Sequence, residues 1–190
     1  MECENTIRCL KEALDGETTA SQKYSEYSDV ARKEGFPNVA YLFEALSEAE
    51  QVHIKNPTNA LKLEESEEYA PRVDEYEIGN TLENVRASIE GETWENKDMY
   101  PGFLEKTKSE KDKENVKVAR LSMEWALKVE KTHAEVLSEA LEALKKGKDL
   151  DVDQIYVCEV CGNLVFDLPE KICPVCKHDV SFYTKIERGA

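Results

Sequence analysis

Two Glu-x-x-His motifs are the part of this 190-residue chain with the clearest capacity for chemistry. One motif runs from Glu50 to His53 and the other from Glu130 to His133. In an α-helix, side chains three residues apart are neighbours on one face, so each motif presents a carboxylate and an imidazole together. Apolar residues recur at three- and four-residue spacing around both motifs, which directs that face toward a core. A buried carboxylate without a partner is costly, and a metal ion held by both groups is the simplest partner.

A Gly-Glu-Thr triplet precedes each motif and shows that the chain contains an internal repeat. The triplets supply Glu17 and Glu92, which lie 33 residues before Glu50 and 38 residues before Glu130, respectively. Each half of the chain is therefore predicted to form two helices, one with the single glutamate and one with the Glu-x-x-His motif. A further glutamate, Glu95, lies one turn beyond Glu92, on or beside the inward stripe. The candidate metal ligands of the helices are Glu17, Glu50, His53, Glu92, Glu95, Glu130 and His133.

A single inward histidine or glutamate is more often a hydrogen-bonded core residue than a metal ligand. The agreement among four helices favours metal binding, because a glutamate from two helices and a Glu-x-x-His motif from two others is the known pattern of di-iron carboxylate bundles. Charge balance favours it too, since five carboxylates would repel one another without metal but leave little net charge around two divalent or trivalent ions. Glu50 and Glu130, at the paired motifs, are the natural bridging ligands.

Four of the six cysteines form two Cys-x-x-Cys pairs near the end of the chain, Cys158 with Cys161 and Cys173 with Cys176. Four thiolates at this spacing can surround one tetrahedral ion, and the spacing alone does not distinguish iron from zinc. About forty residues bury little apolar surface, so we expect the metal to stabilise the fold of this segment.

Apolar periodicity and helix-end signals predict the four helices that position the glutamates and histidines. The first spans about residues 4–33, and Gly35 and Pro37 mark its end and the start of the second. Thr81 is expected to cap the third helix, and the fourth covers residues 116–144.

The acidic, irregular stretch at residues 62–80 sets the topology of the bundle. About 17 extended residues reach roughly 55 Å, whereas a helix of about 30 residues is about 45 Å long, so the stretch can cross the whole bundle. The second and third helices are then parallel, which predicts an all-α, ferritin-like four-helix bundle with one long crossover over residues 1–148. The four cysteines belong to a small metal-stapled domain over residues 149–190. Pro57 removes a backbone donor one turn after His53, so we expect a kink or break in the second helix.

Composition excludes several classes of function. A net charge of −15 argues against nucleic acid and anionic membranes, which would repel the chain. No apolar run is long enough to span a bilayer, and the acidic N-terminus lacks the blocks of a secretory signal, so we expect a cytoplasmic protein. No G-x-G-x-x-G motif follows a strand, so the chain has no visible nicotinamide or flavin site and depends on an external electron donor.

The repeated motifs, the Met99-Tyr100-Pro101 segment and the closing cysteine pairs resemble the rubrerythrin family over nearly the full length. The resemblance implies a ferritin-like di-iron domain fused to a rubredoxin-like domain with a single iron. It implies a peroxidase that reduces hydrogen peroxide to water in oxidative-stress defence, with electrons from a reductase or rubredoxin passing through the rubredoxin-like centre. Family members usually form homodimers in which the rubredoxin-like centre of one chain serves the di-iron site of another.

The resemblance also implies a role for each candidate ligand. The terminal ligands are Glu17 and Glu92, the bridging ligands are Glu50 and Glu130, and one nitrogen ligand is His133. The second iron is expected to exchange His53 for Glu95 as its redox state changes. One position departs from the family pattern, because Lys177 follows Cys176 where rubredoxin-like sequences usually carry glycine. A turn that requires a positive φ at this position would be strained by a side chain.

Two other classes of function use similar residues. A ferroxidase, iron-storing protein or oxygen-reducing di-iron oxidase would share the di-metal site, but an iron-storing protein needs neither a redox appendage nor a seventh ligand such as Glu95. A structural or binding module with a zinc clip at the cysteines would need no oxidisable centre, and elemental analysis separates that possibility from the others.

Overall fold

The computed structural model of the protein describes residues 3–62 and 69–189, which form a bundle of long helices with a small β-sheet docked against it. The helices are α1 (Glu4–Lys33), α2 (Pro37–Lys62), α3 (Thr81–Trp94), α4 (Tyr100–Lys106) and α5 (Glu114–Leu144). A π-helical turn at Glu95–Met99 joins α3 to α4, and a 3₁₀ turn at Lys108–Glu110 follows α4. In the described ranges, no helix has the length and apolar character that a membrane span requires.

The first two helices form the predicted hairpin. Helix α1 has the expected bounds, and Gly35 adopts a φ of +87° in the link before Pro37 begins α2. Apolar side chains on the facing stripes are fully buried, among them Leu14 and Leu46. This packing places the inward positions of both helices along the axis of the bundle.

Of the kink or break expected at Pro57, the break is wrong, because α2 continues without interruption to Lys62. A proline inside a helix costs about 3 kcal/mol through its missing N–H and a clash with the preceding turn. Pro57 is itself buried, and Ala60 and Leu61 in the turn after it belong to the same buried apolar cluster as Leu10 of α1. Burial of this last turn offsets the cost of the proline.

The crossover is described from residue 69 onward, and residues 63–68 lie outside the described residues. Its described part is tied to α1 through Asp15, whose carboxylate accepts hydrogen bonds from the Tyr69 hydroxyl and from the backbone and guanidinium of Arg72. The cap of α3 is Asn80 rather than the predicted Thr81, because Asn80 and Glu83 form a reciprocal capping box.

The small C-terminal module contains three antiparallel strands in the order β2-β1-β3. The strands are β1 (Tyr156–Cys158), β2 (Leu164–Val165) and β3 (Tyr183–Lys185). The hydroxyl of Tyr41 on α2 accepts a hydrogen bond from the Ile155 backbone at 3.1 Å and donates one to the Ile186 carbonyl at 2.6 Å. A single buried tyrosine therefore holds the start of β1 and the end of β3, which lie side by side, against the bundle.

Lys177 adopts a φ of +65°, so the strain predicted for this position is present. The left-handed conformation costs a residue with a side chain roughly 1–2 kcal/mol relative to glycine. We expect Lys177→Gly to raise the free energy of unfolding by about 1 kcal/mol, since the lost bond from Lys177 Nζ to the Pro174 carbonyl is exposed. Denaturant unfolding of the metal-loaded chain measures this change. The control is Lys171→Gly, an exposed position without positive φ, where no stabilisation is expected; equal effects would contradict the strain.

Candidate metal centres

Four helices bring six of the seven predicted ligands together in the buried centre of the bundle. Helix α1 contributes Glu17, α2 contributes Glu50 and His53, α3 contributes Glu92, and α5 contributes Glu130 and His133. Their ligand atoms form two sets of four, and within each set all atoms lie within 4.8 Å of one another. The first set is Glu17, Glu50, His53 and Glu130, and the second is Glu50, Glu92, Glu130 and His133. Two carboxylates belong to both sets, which is the arrangement that two adjacent ions would need.

The two imidazoles point their Nδ1 atoms at the shared carboxylates. His53 Nδ1 lies 2.9 Å from oxygens of both Glu50 and Glu130, and His133 Nδ1 lies 3.1 Å from Glu130 and 3.4 Å from Glu50. On the opposite side of each ring, Nε2 donates a hydrogen bond to a backbone carbonyl, from His53 to Cys161 at 3.0 Å and from His133 to Gly162 at 3.2 Å. A carbonyl only accepts, so Nε2 carries the proton and Nδ1 presents its lone pair to the cluster.

The buried atoms of the cluster lack hydrogen-bond partners. Among the described residues, these atoms are both carboxylate oxygens of Glu50 and of Glu130, one oxygen each of Glu17 and Glu92, and Nδ1 of His53 and His133. Unpaired buried polar groups cost about 1–3 kcal/mol each, and more when charged. Oxygen and nitrogen donors that converge without hydrogen bonds fit a pair of iron ions, which would satisfy all of them at once.

Two tyrosines orient the outer carboxylates. The Tyr100 hydroxyl donates to Oε1 of Glu17 and the Tyr24 hydroxyl donates to Oε1 of Glu92, which leaves Oε2 of each glutamate facing the cluster. The sequence patterns did not identify which glutamate each tyrosine contacts. The inward stripe of α1 places Tyr24 in the core, but the bond from Tyr100 joins residues 83 positions apart and leaves no local signal.

Without cations, the cluster would hold protons in their place. Burial, followed by the charges of Glu130 and Glu50, raises the pKa of Glu92 to about 8 against the opposing effect of His133. Burial alone would lower the pKa of His53, but the carboxylates of Glu130 and Glu50 outweigh it and raise that pKa well above its usual range. Metal binding at this site is therefore expected to release protons.

Glu95 is the predicted ligand that the structure leaves outside both sets. It is the first residue of the π-helical turn, and it is only partly buried. Burial and the charges of Glu130, Glu92 and Glu50 raise its pKa well above the usual range, so its carboxyl group lies within the field of the cluster. In this arrangement His53 belongs to the first set and Glu95 is displaced from it. Single π turns within helices are frequent at functional sites.

The four predicted cysteines form the second centre, and all four are buried. The sulfurs of Cys158 and Cys176 are 3.8 Å apart, and those of Cys161 and Cys173 are 3.7 Å apart. These separations exclude disulfides, in which the sulfurs are about 2.05 Å apart. They match the edge of a tetrahedron around an ion with metal–sulfur distances of about 2.3 Å, which gives an edge of about 3.8 Å. The four thiols therefore fit one tetrahedral ion.

The two centres are in direct contact within one chain. The turn at Cys161 and Gly162 supplies the carbonyls that accept from His53 and His133, and Asn56 Nδ2 donates to the Val160 carbonyl at 2.9 Å. Gly162 has a φ of +80°, and a methyl group there would lie 2.7 Å from His53 Nε2 and 3.0 Å from the Ala49 carbonyl. Glycine is required for this close approach.

Comparisons with known proteins agree with this architecture. The family model described as Rubrerythrin matches residues 8–141. Rubrerythrin-2 of Clostridium acetobutylicum is 34% identical over 173 residues, which cover 90% of this chain and 91% of that protein. Nigerythrin of Nitratidesulfovibrio vulgaris is 32% identical over 173 residues, which cover 90% of this chain and 82% of that protein. A solved structure of nigerythrin in a mixed-valence state has a TM-score of 0.82 and 29% identity, and covers 95% of this chain and 86% of that one.

Proposed function

This chain belongs to the rubrerythrin family, and from that membership we propose that it is a peroxidase, which reduces hydrogen peroxide to water. Proteins of this family are di-iron oxidoreductases involved in oxidative stress. The observation that carries the proposal is the pair of ligand sets that share Glu50 and Glu130, with their unpartnered buried atoms. The family binds di-iron, and the four-cysteine cluster corresponds to its rubredoxin-like iron centre.

Each metal position has its own terminal ligands in this proposal. Glu17 and His53 would hold one iron, Glu92 and His133 would hold the other, and the shared glutamates would bridge both. When bound, two adjacent ferrous ions supply two electrons together, which cleaves the O–O bond without release of a one-electron radical. With two protons, these electrons convert one peroxide molecule into two molecules of water.

The protein's own groups support this reaction by excluding water and by holding protons in place. The carboxylates and imidazoles of the two sets are fully or almost fully buried, so their charges act in a medium of low dielectric constant. Burial, followed by the charge of Glu17, raises the pKa of Tyr100, and burial and the charge of Glu92 raise the pKa of Tyr24. Both hydroxyls therefore keep their protons and remain hydrogen-bond donors to the terminal carboxylates.

Electrons would reach the cluster through the C-terminal module. The hydrogen bonds from His53 to the Cys161 carbonyl and from His133 to the Gly162 carbonyl connect both imidazoles to one cysteine turn. Both centres of this path lie in the same chain, whereas the family resemblance implied a path between two chains. An external reductase or rubredoxin would reduce the four-cysteine centre, and the expected homodimer stays a prediction.

The test of the proposal compares two oxidants. Anaerobically reduced protein of known metal content is mixed with hydrogen peroxide or with dioxygen in a stopped-flow instrument. We expect oxidation by peroxide to be at least about tenfold faster, a difference of about 1.4 kcal/mol in activation free energy. Comparable rates would favour an oxidase or ferroxidase, and zinc at the cysteines with an empty bundle would remove the peroxidase altogether.

Replacement of Glu95 tests the proposed exchange of ligands. We expect Glu95→Ala to slow peroxide turnover by about tenfold, because the oxidised iron would lose an anionic ligand that lowers the cost of oxidation. Most of the iron should stay bound, since both ligand sets are complete without Glu95. Asp98→Ala, at an exposed position of the same π turn, is the matched control. If both variants turn over peroxide at the wild-type rate, Glu95 takes no part.

A further inference from the structure

One tyrosine of the C-terminal module contacts a cysteine ligand through its side chain. Tyr183 begins β3, directly opposite Cys158 of β1, and its ring packs against the cysteine cluster. Its hydroxyl oxygen lies 3.3 Å from Cys173 Sγ and 2.7 Å from Asn163 Nδ2. The hydroxyl therefore stands between a buried amide and a metal-ligating sulfur.

The amide of Asn163 determines the direction of the hydroxyl proton. Nδ2 of Asn163 only donates, so the Tyr183 oxygen accepts from it and directs its own proton elsewhere. The acceptor within reach is Cys173 Sγ. Asn163 is 1% exposed and its backbone carbonyl accepts from the Cys158 N–H at 3.0 Å, so the residue that orients Tyr183 is itself held by the cysteine turn.

The Tyr183 hydroxyl stays protonated at neutral pH. A phenolic hydroxyl ordinarily loses its proton only at about pH 10. The side chain is thus a permanent hydrogen-bond donor to the thiolate. Within the described residues, Tyr183 is the residue whose side-chain hydroxyl donates a hydrogen bond to a sulfur of the cysteine cluster.

We propose that Tyr183, positioned by Asn163, raises the reduction potential of the four-cysteine iron centre through its hydrogen bond to Cys173. Hydrogen bonds to the sulfur ligands are one of the means by which a protein sets the potential of an iron–thiolate centre. Reduction adds one electron and makes the four thiolates more electron-rich, so the hydrogen bond strengthens in the ferrous form. The bond therefore stabilises the reduced state more than the oxidised state.

The consequence concerns the choice of electron donor. A centre of higher potential accepts an electron from weaker reductants. Transfer of that electron onward to the helix bundle then has a smaller driving force. This inference depends on iron at the four cysteines and not on the reaction at the helix cluster. A measurement of potential therefore tests it separately from peroxidase activity.

The experiment is a spectroelectrochemical titration of the four-cysteine iron in the full-length, iron-loaded chain. We expect Tyr183→Phe to lower the equilibrium constant for reduction by about tenfold, which is about 59 mV for one electron. The control is Tyr156→Phe, because Tyr156 lies on the neighbouring strand and its hydroxyl bonds to Gln154 instead of a cysteine. The control should keep the wild-type potential. A Tyr183→Phe protein with full iron content and an unchanged potential overturns the proposal.

A second measurement keeps the proposal testable if Tyr183→Phe does not take up iron. Wild-type chain and the Tyr156→Phe variant are produced with 3-fluorotyrosine, whose more acidic hydroxyl is a stronger donor and adds almost no volume. We expect the potential of the four-cysteine iron to rise by the same amount in both proteins. An unchanged or lower potential overturns the proposal.

Discussion

Replacement of Glu50 by alanine is expected to empty both metal positions of the bundle while the four-cysteine iron stays bound. Glu50 belongs to both ligand sets, so its loss removes a ligand and a negative charge from each ion at once. Iron content should fall from about three ions per chain to about one. Peroxide turnover should fall by more than roughly 100-fold, since loss of outer partners alone costs about 10–100-fold at metal sites.

Two further variants give this prediction its controls. Glu48→Ala changes an exposed glutamate on the same helix and should leave the iron content unchanged. Glu17→Ala removes a ligand from the first set only, so it should weaken one iron while the second position stays occupied. Metal analysis by mass spectrometry measures all three proteins. Retention of both bundle ions in Glu50→Ala would show that Glu50 does not bridge them.

Gly162→Ala is expected to slow electron transfer between the two centres by about tenfold, a change of about 1.4 kcal/mol. A methyl group at this position would meet His53 Nε2 at 2.7 Å and the Ala49 carbonyl at 3.0 Å, and the φ of +80° adds strain. The cysteine turn must then move away, which lengthens the hydrogen bonds from His53 and His133. Steady-state turnover with an external donor should fall, while single-turnover oxidation of the pre-reduced bundle should keep its rate.

Gly147→Ala separates the clash from the backbone strain. Gly147 has a φ of +67° after the end of α5, and a methyl group there would meet no atom within 4 Å. This control therefore carries the strain of a positive φ without displacing the cysteine turn. If Gly162→Ala and Gly147→Ala turn over at equal rates, the contact between the centres does not carry the electrons.

The sequence predicted most of the ligand geometry because helical periodicity is regular over long stretches. The bounds of α1 and the inward positions of Glu17 and Glu50 follow directly from the spacing of apolar residues. The prediction for Glu95 rested on the same periodicity. A π-helical turn begins at Glu95, and this residue lies outside both ligand sets while His53 belongs to the first, so its role as an exchangeable ligand stays a prediction.

Differences from the expected structure arose where two local signals competed or where no local signal existed. Asn80 and Thr81 are both good helix caps, and Glu83, three residues after Asn80, decides between them through the capping box. The break expected at Pro57 neglected the burial of the turn that follows. The contact between His53 and Cys161 joins residues 108 positions apart through a backbone carbonyl, so residue types carry no sign of it.

The double hydrogen bond at Tyr41 has a consequence for how the C-terminal module can vary. The chain enters the module at Ile155 and leaves it at Ile186, and both residues hydrogen-bond to the Tyr41 hydroxyl on α2. The first cysteine turn accepts hydrogen bonds from the two histidines. None of these four hydrogen bonds involves the residues between Val165 and Cys173. Insertions there could lengthen the module without altering the separation of the two metal centres.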